Sequence, residues 1–278
     1  QGEPCDLLIA LHARRSADSL LRHAQAHPAA PRLLVLTGTD LYRDLAVDAS
    51  AQASLGLAHG LVVLQEEGLA LLPAAARARA TVIHQSVPVQ AHPPFHTRHL
   101  SVLMVGHLRE EKDPDTFWQA AAQLAHRPDI HWTQIGRALD PRWAEAAETT
   151  ARALPHFRWL GGLPRGETRR HIRRADVLVN CSRMEGGALV IAEAVRSGTP
   201  VLASHMSGNL GMLGPDHEGY FPVGRAAALA TLVVRCRDEP AFLERLQAQG
   251  QRRAALFDPD RERSLVLHCV GSWLGDLM

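Results

Sequence analysis

The 278 residues contain no apolar run near the roughly 20 needed to cross a bilayer, so no membrane partner is expected. Charge of one sign is not in excess: 30 basic residues face 29 acidic ones, which gives no field for nucleic acid or a membrane surface, although sixteen histidines add positive charge below about pH 6.5. Cysteine is scarce, at positions 5, 181, 236 and 269, with no C-x-x-C pair and no metal-ligand rhythm. These read as reduced thiols of a cytoplasmic protein, with Cys181 a small buried hydrophobe. Internal repeats and low-complexity tracts are missing apart from Ala-rich helices. His92, His96 and His99 lie in a Pro-interrupted stretch that fixes ligand geometry poorly, so no metal is expected.

What is present is an alternation of short apolar strands and helical stretches, in a chain that is 46% apolar and long enough for two domains. Strands are expected at 6–11, 32–36, 61–64 and 81–84, with helices at 16–27, near 49–58 and at 66–77. A linker follows from Val87-Pro88 to Arg98, with Pro93-Pro94 inside it. The rhythm then restarts, with strands at 101–105, 130–135, 157–160, 176–180 and 200–203. The helices between and after them fall at 113–125, 140–153, 166–173, 188–197, 225–236 and 239–256. The expected fold is α/β, two Rossmann-like domains with parallel sheets facing a cleft. Residues 1–97 make the acceptor-side domain, 98–257 the second domain, and 258–278 a helix crossing back to the first. Trp273, Leu274 and Leu267 on that helix are expected to pack in the core.

The most informative segment runs from Met184 through Glu185, Gly186, Gly187, Ala188 and Leu189 to Glu193. It joins a buried strand to a helix, and ligands bind at the carboxyl ends of such strands. Gly186 and Gly187 allow close backbone approach, and the N–H groups at Ala188 and Leu189 offer an anion site at the helix start. Glu193, one turn on, is suited to hydroxyls, because a carboxylate accepts from a diol and repels phosphate. Two carboxylates eight residues apart across this turn can serve the sugar and the ribose of one nucleotide sugar. Upstream, Val105-Gly106-His107-Leu108-Arg109-Glu110-Glu111-Lys112-Asp113-Pro114 reads as strand, glycine turn, basic loop and helix start. Lys112 and Arg109 there can neutralise a departing diphosphate. Gly136 and Gly161 end two further strands, where a uracil base can meet backbone groups. In the first half, His12, Arg14 and Arg15 follow one strand, and Thr37, Thr39 and Asp40 follow the next, forming a candidate acceptor cradle.

With these motifs, residues from about Ser101 to Ala203 resemble the nucleotide-binding half of two-Rossmann-domain (GT-B) retaining glycosyltransferases of the glycogen synthase and sucrose synthase type. The resemblance implies that Glu193 holds the ribose, Glu185 contacts the transferred sugar and Lys112 holds the diphosphate. His107 stands where that family usually has Arg, so either Arg109 takes the second position or the imidazole does a weaker job. A closer resemblance, carried by Leu36-Thr37-Gly38-Thr39-Asp40-Leu41-Tyr42, Val82-Ile83-His84-Gln85-Ser86-Val87, Gly106–Pro114, Ser207-Gly208-Asn209-Leu210-Gly211-Met212-Leu213-Gly214 and Gly219-Tyr220-Phe221-Pro222-Val223, is to the selenosugar synthases of selenoneine biosynthesis. It implies transfer of a sugar, typically N-acetylglucosamine, from a UDP-sugar to selenophosphate with release of UDP and phosphate, the UDP-sugar and selenophosphate being the small-molecule partners, with no separate cofactor. Proteins of that family begin with a further strand, a glycine-rich loop and a helix, so the first domain is expected to be incomplete here. The alternatives are an ordinary glycosyltransferase with a hydroxyl acceptor, a non-catalytic nucleotide-sugar binder and a UDP-sugar epimerase.

Overall fold

Both halves of the chain turn their short apolar runs into parallel strands covered by helices. The computed structural model describes residues 5–96 and 98–274. In the first half lie β1 (Leu8–Leu11), α1 (Ala17–Ala26), β2 (Arg32–Val35), α2 (Leu45–Val47), α3 (Ala49–Leu57), β3 (Gly60–Val63), α4 (Ala74–Arg77) and β4 (Ala80–Val82). The four strands pair in parallel in chain order. Helix α3 starts where Asp48 accepts from the backbone N–H groups of Ser50 and Ala51, both at 2.9 Å. The core of this sheet is built from Leu20, Leu34, Leu36, Leu61 and Val63, all fully buried.

One local expectation fails here for an identifiable reason, and two features go beyond what was expected. The helix expected over 66–77 is a 3-10 turn, Glu66–Leu71, and then α4, because Pro73 ends one and caps the other. Asp40–Asp44 forms a π-helical turn that no periodicity announced. Among the described residues β1 is an edge strand, and Ile9 and Leu11 on it are 47% and 60% exposed.

The second sheet holds β5 (Leu100–Val105), β6 (Ile130–Ile135), β7 (Phe157–Trp159), β8 (Val177–Asn180), β9 (Val201–Ser204) and β10 (Tyr220–Phe221). Its helices are α5 (Pro114–Gln123), α6 (Pro141–Ala153), α7 (Arg165–Arg174), α8 (Leu189–Ser197), α9 (Ser207–Leu213), α10 (Ala226–Asp238) and α11 (Pro240–Arg253). All pairs are parallel, in the order β10-β9-β8-β5-β6-β7. Strand order reverses between β5 and β8, and a crevice for a ligand opens outside the carboxyl ends of strands at such a switch point. Pro at the first position of α5, α6 and α11 presets each helix start. Helix α9 and the short β10 were not anticipated; both are too brief for a periodic signal. The chain then continues into α12 (Pro259–Leu274).

By contacts the chain divides into two compact units. One holds the chain up to Ser86, the loop Met184–Ala188 and the chain from Leu256 onward; the other holds Val87–Arg183 and Leu189–Ala255. The stretch read as a linker packs on the second unit: His92 Nε2 meets the Ala175 carbonyl at 2.9 Å, and the His96 N–H donates to Asp176 at 2.9 Å. Helix α12 packs on the first sheet through Cys269, against Leu33, Val62 and Ile83, and Glu262 accepts from the Ser86 N–H at 2.9 Å. Trp273 lies against Gly60, but Leu267 is 60% exposed and is no core residue, since it falls on the solvent side of α12. Among the described residues no helix is long and apolar enough to cross a membrane.

Candidate functional site

In the second unit, the loops after β5, β6 and β7 interlock through glycines. Gly136 lies so close to the Gly106 carbonyl that a Cβ there would stand 1.9 Å from its oxygen. The Gly136 N–H donates to the Gly161 carbonyl at 2.7 Å, and Gly161 takes φ +65°, a left-handed conformation that glycine adopts freely. The methylenes of Lys112 cover Gly106, at 3.4–3.7 Å from where its Cβ would be. Gly106, Lys112, Gly136 and Gly161 are thus brought together.

Lys112 is also held from the β8 side. The Arg183 N–H donates to the Glu111 carbonyl at 2.9 Å, and the Arg183 guanidinium pairs with Asp113 at 3.1 Å. Asp113 is buried in the left-handed region (φ +49°) and accepts from Thr116 Oγ1 at 2.8 Å as α5 begins. The backbone N–H of Arg137 donates to His107 Nδ1 at 3.2 Å. Burial, with Arg137, Arg109 and Lys112 nearby, lowers the His107 pKa, so its ring is neutral near pH 7 and offers an Nε2–H donor, not a cation. Arg109 is half-exposed, 3.8 Å from Glu111.

Cys181, after β8, is fully buried, and burial with the nearby Asp113 holds its thiol well above the ordinary cysteine range. A thiolate role is thereby disfavoured. Asn180, Ser182, Ser204 and Asn209 form a buried polar network: Asn209 Nδ2 donates to the Ser204 carbonyl at 2.8 Å, and the Ser182 N–H donates to Asn180 at 3.0 Å. This network fixes the exit of the chain toward Glu185. On α8, Glu193 is 7% exposed, with Arg165 and Arg169 of α7 at 3.8 and 3.9 Å. Burial raises its pKa and the two guanidiniums oppose that rise. Neither arginine was singled out in the sequence, although Arg165 and Arg169 share a helix face at i,i+4.

The Glu185 loop belongs to the first unit, and its glycines have a reason other than ligand approach. A Cβ on Gly186 would stand 1.3 Å from the Thr37 carbonyl oxygen, and one on Gly187 would stand 2.6 Å from Leu64 Cβ. These glycines let the loop lie directly on the backbone at Thr37–Gly38. Glu185 itself is 9% exposed, and Ala188 is buried at the entry to α8, which Leu189 opens.

The first unit also gathers the residues after β1 and β2. His12 is buried with φ +72°, a strained conformation for a non-glycine residue. Its Nδ1 accepts from the Arg15 N–H at 3.4 Å, which puts the proton on Nε2, 2.9 Å from Thr39 Oγ1. Asp40 is spent on the loop: it accepts from the N–H groups of Ala13, Thr37 and Gly38 at 2.8–3.2 Å and from the Thr37 hydroxyl at 3.1 Å. Asp44, not singled out in the sequence, is buried 3.8 Å from His12 Nε2 and takes Arg14 at 2.9 Å and Arg43 at 3.1 Å. Its placement one turn after Asp40 was the available signal.

The family model described as "Glycosyl transferases group 1" matches residues 91–253. A Xenopus tropicalis "Glycosyltransferase 1 domain-containing protein 1" is 27% identical over 155 residues, 55% of this chain and 44% of that protein. A "D-inositol 3-phosphate glycosyltransferase 1" of Catenulispora acidiphila is 30% identical over 172 residues, 56% of this chain and 40% of that protein. The chain therefore spans less than half the length of these curated relatives. In fold, it is similar to sucrose-phosphate synthase from Thermosynechococcus elongatus, with a TM-score of 0.80 at 20% identity over 98% of this chain and 74% of that one. Anabaena HepE in complex with UDP and glucose gives 0.77 at 17% identity over 96% and 78%.

Proposed function

Because the chain belongs to the group 1 glycosyl transferases, we propose that it transfers a sugar, N-acetylglucosamine by the resemblance, from a UDP-sugar to selenophosphate. The observation that carries the donor half is the convergence of Gly106, Lys112, Gly136 and Gly161 at the carboxyl ends of β5, β6 and β7, beside the switch between β5 and β8. Neighbours in fold bind UDP in their crystals, in keeping with this reading. Glu193 accepts the ribose hydroxyls, and Glu185 holds hydroxyls of the sugar. The His107 Nε2–H, Lys112, Arg109 and the N–H groups at the start of α8 meet the charge that grows on the diphosphate as the bond to the anomeric carbon breaks.

Selenophosphate is favoured as acceptor by the state of the first unit. Asp40 and Asp44, the carboxylates gathered around His12, are engaged by backbone N–H groups and by Arg14 and Arg43. That arrangement suits a nucleophile that arrives already anionic and needs no strong base. Selenium forms the bond to the anomeric carbon, the carbon–oxygen bond to UDP breaks and its electron pair leaves with UDP; water then cleaves phosphorus–selenium to give phosphate and the selenosugar. UDP release assayed with UDP-N-acetylglucosamine tests this: release that depends on selenophosphate is expected, whereas release with an alcohol acceptor and no selenium would replace the acceptor assignment.

A further inference from the structure

At the opposite, amino-terminal ends of β5, β6 and β7, four imidazoles form a continuous stack that the transferase reading does not use. The rings of His96, His99, His131 and His156 follow one another with centroids 4.6, 4.4 and 5.4 Å apart and planes within 22°. The spacing follows from the sheet. His99 directly precedes β5, His131 is the second residue of β6 and His156 directly precedes β7, so their rings repeat near the 4.8 Å interval of neighbouring strands. Beside the stack, between this sheet face and α7, lies a pocket of about 510 Å³.

The lining is strongly one-signed. Arg158 projects from β7, and Arg170, His171 and Arg174 from α7. The acid facing them is Glu167, 3.8 Å from Arg170. Asp176, before β8, already accepts from the Ser101 N–H at 2.7 Å and from the ring and backbone N–H of His96, both at 2.9 Å. Burial together with His99, His156 and Arg158 lowers the His131 pKa, and burial with Arg174 and Arg170 lowers that of His171. A multivalent anion in the pocket reverses that balance, because each charge it brings makes a protonated ring favourable.

We propose that this pocket is a second ligand site, for a small multivalent phosphate anion whose binding is coupled to proton uptake by the histidine stack. Its volume lies in the range of small-molecule sites. The test is calorimetric titration of the whole chain with inorganic pyrophosphate, in buffers of different ionisation enthalpy, in the presence of saturating UDP. Binding about tenfold tighter near about pH 6 than near about pH 7.5, with net proton uptake, is expected. The surface variant Arg170→Ala/Arg174→Ala should lose most of that affinity while UDP affinity is unchanged, and His131→Ala should reduce the proton uptake. Equal pyrophosphate affinity in the arginine variant, loss of all pyrophosphate binding to UDP, or uptake of zinc without pyrophosphate would each overturn the proposal.

Discussion

Replacing Gly186 by Ala is the sharpest perturbation the structure offers. The new Cβ would stand 1.3 Å from the Thr37 carbonyl oxygen, 2.2 Å from its carbon and 2.8 Å from the Gly38 nitrogen. All three are backbone atoms, and the Thr37–Gly38 segment is itself clamped by Asp40, so no flexible side chain yields. Recovering a separation of about 3 Å displaces the loop by about 1.7 Å, in a fold whose packed segments leave few voids. A misplacement of about 1 Å in a positioning element costs on the order of a hundredfold in rate. With Glu185 carried on this loop, kcat for sugar transfer is expected to fall at least about a hundredfold, while UDP affinity, set by Glu193 on α8, changes by no more than about twofold. The assay is steady-state UDP release beside calorimetric UDP binding. Gly166→Ala is the control: a Cβ there meets nothing within 4 Å, and Gly to Ala inside α7 should stabilise by about 0.5–1 kcal/mol. Wild-type turnover in Gly186→Ala would refute the assignment of this loop to sugar positioning.

Glu193→Gln keeps the shape but not the charge, and UDP affinity measured by calorimetry should drop about ten- to a hundredfold, the worth of about 1.5–3 kcal/mol for a charge-assisted hydrogen bond. Because burial raises the Glu193 pKa, ionising it opposes folding at pH values above the ordinary carboxylate range; the same variant should therefore melt higher than wild type near neutral pH. UDP affinity of the wild type should weaken as pH falls through that raised pKa, a dependence absent in Glu193→Gln. Lys112→Ala should lower kcat by about 10²–10³ with a smaller effect on donor binding, read by single-turnover and equilibrium measurements side by side. His12→Gly relieves a left-handed conformation worth about 1–2 kcal/mol while losing the contact with Thr39, so melting should shift little and the selenophosphate KM should rise, with UDP affinity constant.

The two parallel sheets were legible because buried strands such as Val102–Met104 and Val177–Val179 are continuous apolar runs. Pro73 was equally visible, but its effect on 66–77 was lost to an Ala-rich, helix-like composition. The motif residues could be named from spacing; what spacing does not carry is which partner each one faces. Gly186 answers to the carbonyl of Thr37, about 150 positions earlier in the sequence, which makes it a matter of tertiary packing, and Asp40 answers to Ala13. The charge state of His107 depends on burial and on the nearby Arg137 guanidinium, and its tautomer on the Arg137 N–H, none of which a local motif records. Arg165 and Arg169 lie on a basic helix whose local sequence does not show that α8 brings Glu193 beside them.

Mass spectrometry of a reaction containing the chain, UDP-N-acetylglucosamine and selenophosphate decides the acceptor. A sugar with the selenium isotope pattern is expected, formed together with UDP and phosphate and absent when selenophosphate is left out. Intact donor in both reactions, or UDP formed with no selenium in any sugar product, would contradict the assignment of selenophosphate as acceptor.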